Sequence, residues 1–149
     1  MSLSFAFDWP SPPPGRLTGF SLGHLTVTGD DGTVTSAGRT PDQSMMLPLA
    51  VTDLLDGLRA LIADPEDGRY DFVGADSSFR LAFIRSGGHI RVVGDSGIVA
   101  SVPVPTFAAV CARDIGGFAR QLLDILPVED PVFGDLIEAR VDFLDAINT

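Results

Sequence analysis

Leu47 to Ile62 reads LPLAVTDLLDGLRALI. Val51, Leu54, Leu55, Leu58, Leu61 and Ile62 recur at i, i+3, i+4 and i+7, while Asp53, Asp56 and Arg59 take the other side. That period belongs to one amphipathic helix with a single buried face. Pro48 suits its first turn, where a missing N–H donor costs nothing. Asp64-Pro65-Glu66-Asp67-Gly68 ends it. The chain on both sides reads as strands, so this helix is the element on which a sheet is expected to pack.

Before the helix, Leu3 to Trp9 sets Leu3, Phe5 and Phe7 against Ser4, Ala6 and Asp8, the alternation of a strand with one apolar face. Residues 10–15, PSPPPG, are a stiff surface connection, because consecutive prolines hold an extended conformation and cannot donate to a sheet. Leu17 to Thr28 is strand-like, with Phe20, Leu22, His24 and Thr26 on one side and Leu25 and Val27 on the other. Gly29-Asp30-Asp31-Gly32 supplies turn chemistry and Thr33 to Ser36 returns as the second arm of a hairpin.

After the helix, Tyr70 to Val73, Ser78 to Ile84, His89 to Val93 and Ile98 to Val104 are short strands separated by Gly-rich turns. That spacing predicts an antiparallel meander. Residues 105–112 are ambiguous: Phe107, Val110, Cys111 and Ile115 suit a helix, whereas alternation and the Gly116-Gly117 pair suit a strand ending at Arg113. The strand is the preferred reading, with Asp114 as N-cap of a helix to Leu126 that buries Phe118, Leu122, Leu123 and Leu126. Pro127 stops that helix. A last one starts near Asp130 and Pro131 and buries Phe133, Leu136, Ile137, Phe143 or Leu144, and Ile147. The whole is a single domain over residues 1–149 of α+β class, a mostly antiparallel sheet of about six or seven strands packed against a single layer of about three helices.

A chain of 149 residues buries roughly 70% of its unfolded surface and folds without staples. A hydrophobic share of 45% and a mean hydropathy of +0.27 argue for a real core. The one cysteine, Cys111, lies in the apolar run PTFAAVCA and reads as a buried, inert thiol. MSLSFAFDW has no basic n-region and no long apolar h-region, and the longest apolar stretch, Ile98 to Ala112, is interrupted by Ser101, Pro103, Pro105 and Thr106. A cytoplasmic protein that does not engage a membrane is expected.

The formal charge is −10, with ten Arg and no Lys. Phosphate binding needs a cationic surface, so nucleic acid is disfavoured as a partner. Acidity steers basic partners or keeps a protein soluble.

The remaining polar residues offer fragments of catalytic and metal sites without completing one. Gly94-Asp95-Ser96-Gly97 matches the segment around the nucleophile of chymotrypsin-like serine proteases. Ile98 follows where that family has Gly and Pro, the histidine block is missing, and the chain is too short for two barrels, so the four residues read as a hairpin turn. His24 and His89 have no second ligand at metal spacing. Asp64, Glu66, Asp67 and Asp71 crowd one loop but miss the EF-hand spacing, so the loop reads as a solvated turn. Arg80, Arg85 and Arg91 are expected to pair with acids across strands. No cofactor, metal site or catalytic residue is assigned, and no enzyme activity is expected.

The order strands, LPLAVTDLLDGLRALI, the meander FRLAFIRSGGHIRVVGDSGIV, then DIGGFARQLLDIL resembles small actinobacterial proteins and the immunity proteins of bacterial polymorphic toxins, in particular the wall-associated type. The resemblance covers about residues 17–126 and rests on pattern; the Pro-rich stretch and the last helix lie outside it. It implies a cytoplasmic inhibitor that binds a cognate toxin. No individual residue is carried over from it. The resulting expectation is a non-catalytic acidic binding protein that meets a basic protein through Asp30, Asp31, Asp64, Glu66 and Asp67 on exposed turns. Two alternatives stay open: a small hydrolase or ligand-binding domain whose site forms only in three dimensions, and a homodimeric structural domain whose sheet edge pairs with its twin. The oligomeric state, monomer or homodimer, is open as well.

Overall fold

The computed structural model describes residues 2–9 and 16–148, so the Pro-rich connection expected at 10–15 lies outside the described residues. The strands are β1 (Leu3–Asp8), β2 (Leu22–Gly29), β3 (Gly32–Thr35), β4 (Met45–Met46), β5 (Gly68–Val73), β6 (Arg80–Ser86), β7 (His89–Gly94) and β8 (Gly97–Pro103). The helices are α1 (Leu47–Ala63), α2 (Val104–Cys111), α3 (Gly117–Ile125) and α4 (Pro131–Ile147), and a π-helical turn, Ala112–Gly116, joins α2 to α3. The class is α+β, with every strand pairing antiparallel and three helical rods counting α2–α3 as one. The eight strands form two four-stranded sheets, β1-β2-β3 with β4 beside β2, and the meander β5-β6-β7-β8.

The quoted helix forms where its period places it. Val51, Leu54, Leu55 and Leu58 are wholly buried, and Tyr70 of β5 lies across the helix at Gly57. A Cβ at Gly57 would meet that ring, whose hydroxyl donates to the Asp53 carbonyl at 2.9 Å, so glycine is required for the helix and sheet to approach. Phe83 of β6 ties the layers together. Its ring is fully buried and lies 6.4 Å from Phe5 of the first sheet, 5.9 Å from Tyr70 and 5.8 Å from Phe107 of α2. Aromatic contacts of this kind add to simple area burial. On the other side of α1 lies α4, which buries Val132, Leu136, Ala139 and Phe143.

Two expectations are corrected. Residues 105–112 are helical, not a strand, and Asp114 does not cap a new helix. Phe107, Cys111, Ile115 and Ala119 recur every four residues and are all fully buried. That stripe drifts around an ordinary α-helix, and the wider i→i+5 turn at Ala112–Gly116 absorbs part of the drift. Burial of the stripe outweighs roughly 1 kcal/mol of helix propensity lost at each of Gly116 and Gly117. The strand expected from Leu17 also starts later: Ser21 N–H donates to the Thr18 carbonyl in a turn, and β2 begins at Leu22.

The sheet edges differ in what covers them. Along β1, the Phe5 N–H donates to the Asp114 carboxylate at 2.9 Å and Phe7 stacks on Phe118 with ring centroids 4.6 Å apart. Asp114 therefore closes a strand edge from a helix. Along β8, the β2–β3 hairpin leans in: the Asp31 N–H donates to the Val99 carbonyl at 2.9 Å, and a Cβ at Gly29 would strike the same oxygen. Among the described residues no further strand lies beyond β5, and the only ladder of Gly68–Val73 is the one to β6.

Candidate functional site

The acids picked out from sequence fall on two separate turns. Asp30 and Asp31 occupy the β2–β3 turn, beside the early part of β8, while Asp64, Glu66 and Asp67 occupy the α1–β5 turn, beside the β6–β7 turn at the opposite end of the second sheet. Three of the five carboxylates are engaged by donors within the chain. Asp30 accepts from the Ser2 N–H at 3.0 Å and the Ser2 hydroxyl at 2.8 Å, which holds its pKa below the usual carboxylate value. Asp64 accepts from the Glu66 N–H at 3.0 Å, and Asp67 from the Gly87 N–H at 3.3 Å. These are the bonds of Asx turns and loop anchors.

A second acidic region was not singled out in sequence. The groove between α1 and α4, about 260 Å³ in volume, is lined by Asp53 and Asp56 from α1 and by Asp135, Glu138 and Asp142 from α4. Spacings of i, i+3 on one helix and i, i+3, i+7 on the other put each set on one face. Burial of Leu54, Leu58, Leu136 and Phe143 brings the two faces together. None of the five carboxylates closes a hydrogen bond or ion pair among the described residues. Burial first, then the charge of Asp56, raises the Asp53 pKa. Asp56 is raised by burial and by Asp142 and Asp135, against the opposing pull of Arg59. The sequence signal existed in the acid spacing, but it could not show which helix faces which.

The remaining candidates lie in turns, strands and the core, apart from one another. His24 Nδ1 lies 3.0 Å from the Ser36 hydroxyl, yet Ser36 is fully buried and its oxygen also accepts from the Leu25 N–H at 3.0 Å. That hydroxyl anchors β2 to the end of β3. The nearby Asp42 carboxylate is occupied by the Ser44 N–H and hydroxyl at 2.9 and 3.0 Å. His89 Nδ1 sits 3.4 Å from the Gly87 carbonyl. Gly94-Asp95-Ser96-Gly97 is the β7–β8 turn, with Gly97 at φ +126° and Asp95 bound to the Arg39 guanidinium at 2.8 Å. Cys111 is fully buried, and burial with the charge of Asp114 pushes its thiol well up.

Cross-strand pairing of Arg85 is also corrected. Its guanidinium turns inward and donates to the Leu61 and Ile62 carbonyls at 3.1 and 2.8 Å. There it satisfies the open carbonyls and the negative dipole end of α1. Arg80 and Arg91 point to the opposite, uncovered face of the second sheet.

Among the described residues no helix is long and apolar enough to cross a membrane, and no group of three His, Cys, Asp or Glu is placed to hold a metal ion. Compared with protein-family models, curated proteins and solved structures, the chain matches none of them.

Proposed function

We propose that the protein is a non-catalytic binding protein that takes a basic protein partner into the groove between α1 and α4. The observation that carries this reading is the set of five carboxylates, Asp53, Asp56, Asp135, Glu138 and Asp142, on facing helices with no ion-pair partner among the described residues. Like charges lining one groove repel, and an incoming Lys- or Arg-bearing surface relieves the repulsion as it forms charge-assisted hydrogen bonds. Leu49 of α1, half-buried, lines the same groove and adds the apolar contact a protein partner uses. Electrostatic steering then speeds encounter, and steric cover of the partner's cationic surface inhibits it. An immunity-type inhibitor of a toxin, which the sequence resemblance implies, is the specific form of this reading.

Parallel capture tests it. Three baits are immobilised at low salt: the unaltered protein, a groove variant (Asp53→Asn, Asp56→Asn, Asp135→Asn, Glu138→Gln, Asp142→Asn), and a turn variant neutralised at Asp30, Asp31, Asp64, Glu66 and Asp67. One basic protein recovered near 1:1 on the first and third baits and lost on the second is the expected result. A partner that stays on the groove variant, or leaves only with the turn variant, contradicts the groove as its contact surface. Inhibition of the recovered protein's own activity then tests the immunity-type form.

A further inference from the structure

The open edge of β5 carries a pattern that fits its own copy. The edges of β1 and β8 are met by other parts of the chain, β1 by Asp114 of the π-helical turn and β8 by the β2–β3 hairpin, whereas Gly68–Val73 ends the second sheet with no further strand beside it among the described residues. Gly68, Arg69, Asp71 and Val73 are exposed along it, Tyr70 is half-buried and Phe72 is buried. Arg69, Asp71 and Val73 therefore lie on the outer face, and Tyr70 and Phe72 on the inner.

Backbone geometry restricts how two such edges can meet. Along a strand, successive residues direct their N–H and C=O groups to alternate edges, so two residues bonded across an antiparallel ladder must both be outward-facing. In a two-fold pairing of identical strands, the numbers of paired residues then sum to an even value, and the axis passes beside a residue. An axis at Arg69 sets Arg69 against itself and Asp71 against Asp67. One at Asp71 sets Asp71 against itself. An axis at Tyr70 sets Arg69 of each copy opposite Asp71 of the other. Only this central register matches charge across the edge.

We propose that two copies of this chain associate through antiparallel β5–β5 pairing about Tyr70, extending the four-stranded sheet into one of eight strands. Within each chain Arg69 already binds Asp71 at 2.9 Å, with both side chains more than half exposed. The pairing places a second such couple alongside in reverse order, so that the four charges alternate at the corners of a quadrilateral. Residues directly opposite across a ladder have Cβ atoms about 4.5–5.5 Å apart, within reach of long charged side chains, so each cation gains a second anion beside the one it already binds. Unmet N–H and C=O groups of the edge gain partners at the same time. Asp64, Glu66 and Asp67 on the adjoining turn bring like charge to the junction, so salt at moderate concentration strengthens association before it screens the Arg69–Asp71 contacts. This inference is independent of the groove between α1 and α4.

Charge reversal at the two positions separates this pairing from any other mode of association. Sedimentation equilibrium on the full chain is expected to show a concentration-dependent dimer. Arg69→Asp and Asp71→Arg, each acting twice through the two-fold axis, are expected to weaken it by on the order of tenfold or more. The double swap, Arg69→Asp with Asp71→Arg, restores it. An equimolar mixture of the two single variants forms a heterodimer, because one β5 edge then presents two carboxylates and the other two guanidinium groups. Unchanged circular dichroism controls for folding, since both positions are exposed. A protein that stays monomeric at the highest concentration reached overturns the proposal, as does a dimer indifferent to both single reversals or single variants that fail to complement each other.

Discussion

At the β2–β3 and α1–β5 turns, the carboxylates of Asp30, Asp64 and Asp67 meet N–H donors supplied by Ser2, Glu66 and Gly87. In the α1–α4 groove, Asp53, Asp56, Asp135, Glu138 and Asp142 line one cleft without a hydrogen-bond or ion-pair partner for their carboxylates among the described residues. Both regions are acidic and solvent-facing, yet the first set is tied down by donors of the chain itself and the second is brought together by apolar burial on the far sides of its helices. The pKa directions follow the same division: Asp30 is lowered by its bonds to Ser2, and Asp53 and Asp56 are raised by burial and crowding. An acid already bonded to the backbone has less to gain from a cationic visitor, whereas one crowded by other acids has more.

The largest expected effect concerns binding. Neutralising all five groove acids lowers affinity for the captured partner by on the order of a hundredfold, since several charge contacts disappear together, whereas the turn variant loses less than about threefold. Titration calorimetry with the purified partner checks both numbers. The groove variant retaining the turn variant's affinity would break the distinction between the two regions.

Next in size is Asp114, a third kind of acid, largely buried and bonded to the Phe5 N–H of an edge strand. Asp114→Ala leaves that donor unmet and is expected to cost about 2 kcal/mol of stability in urea denaturation. Asp31→Asn, at a turn carboxylate, stays within about 0.5 kcal/mol.

Smaller again is the relief of crowding. Asp53→Asn together with Asp56→Asn is expected to stabilise the protein by roughly 0.5 kcal/mol at pH 7 and low salt, a modest value because solvent screens exposed charges. The sign with pH follows from the raised folded-state pKa values of both groups. Their stabilising contribution is present below the unfolded carboxylate pKa and is lost as pH rises through the raised folded values. The advantage of the double variant over the unaltered protein therefore shrinks as pH falls from 7 towards 4, and paired thermal melts across that range read it directly. Asp30 runs the other way: its contribution is present above the unfolded pKa and is lost as pH falls through its lowered folded value.

Much of the fold was legible in the chain. The period of Val51, Leu54, Leu55 and Leu58 located α1, the Gly-rich turns located the meander, and Asp130-Pro131 located the start of α4, where the Asp130 carboxylate accepts from the Val132 N–H at 2.9 Å. Residues 105–112 misled because a Gly-Gly pair is a strong local signal, while the four-residue stripe of Phe107, Cys111, Ile115 and Ala119 gains meaning only from the core it enters. The two-sheet division was hidden for a similar reason: the approach of the β2–β3 hairpin to β8 depends on the closeness permitted at Gly29, a long-range contact. The groove is the clearest example. Asp53 and Asp56 were recognisable as the polar side of α1, and Asp135, Glu138 and Asp142 form an equally regular stripe on α4, but their convergence is a property of helix packing. Arg85 was misassigned because strand alternation shows a face without showing the helix end that lies over it.

The most direct measurement is urea denaturation at pH 7 and low salt of three proteins: the unaltered chain, the five-residue groove variant, and a turn variant carrying Asp30→Ala, Asp64→Ala and Asp67→Ala. Crowded, unpaired acids in the groove and bonded acids in the turns require midpoints that move in opposite directions, upward for the groove variant and downward for the turn variant, with the upward shift shrinking as salt is added. A groove variant that unfolds at lower urea than the unaltered protein, or two variants that shift the same way, would contradict the division on which the binding surface rests.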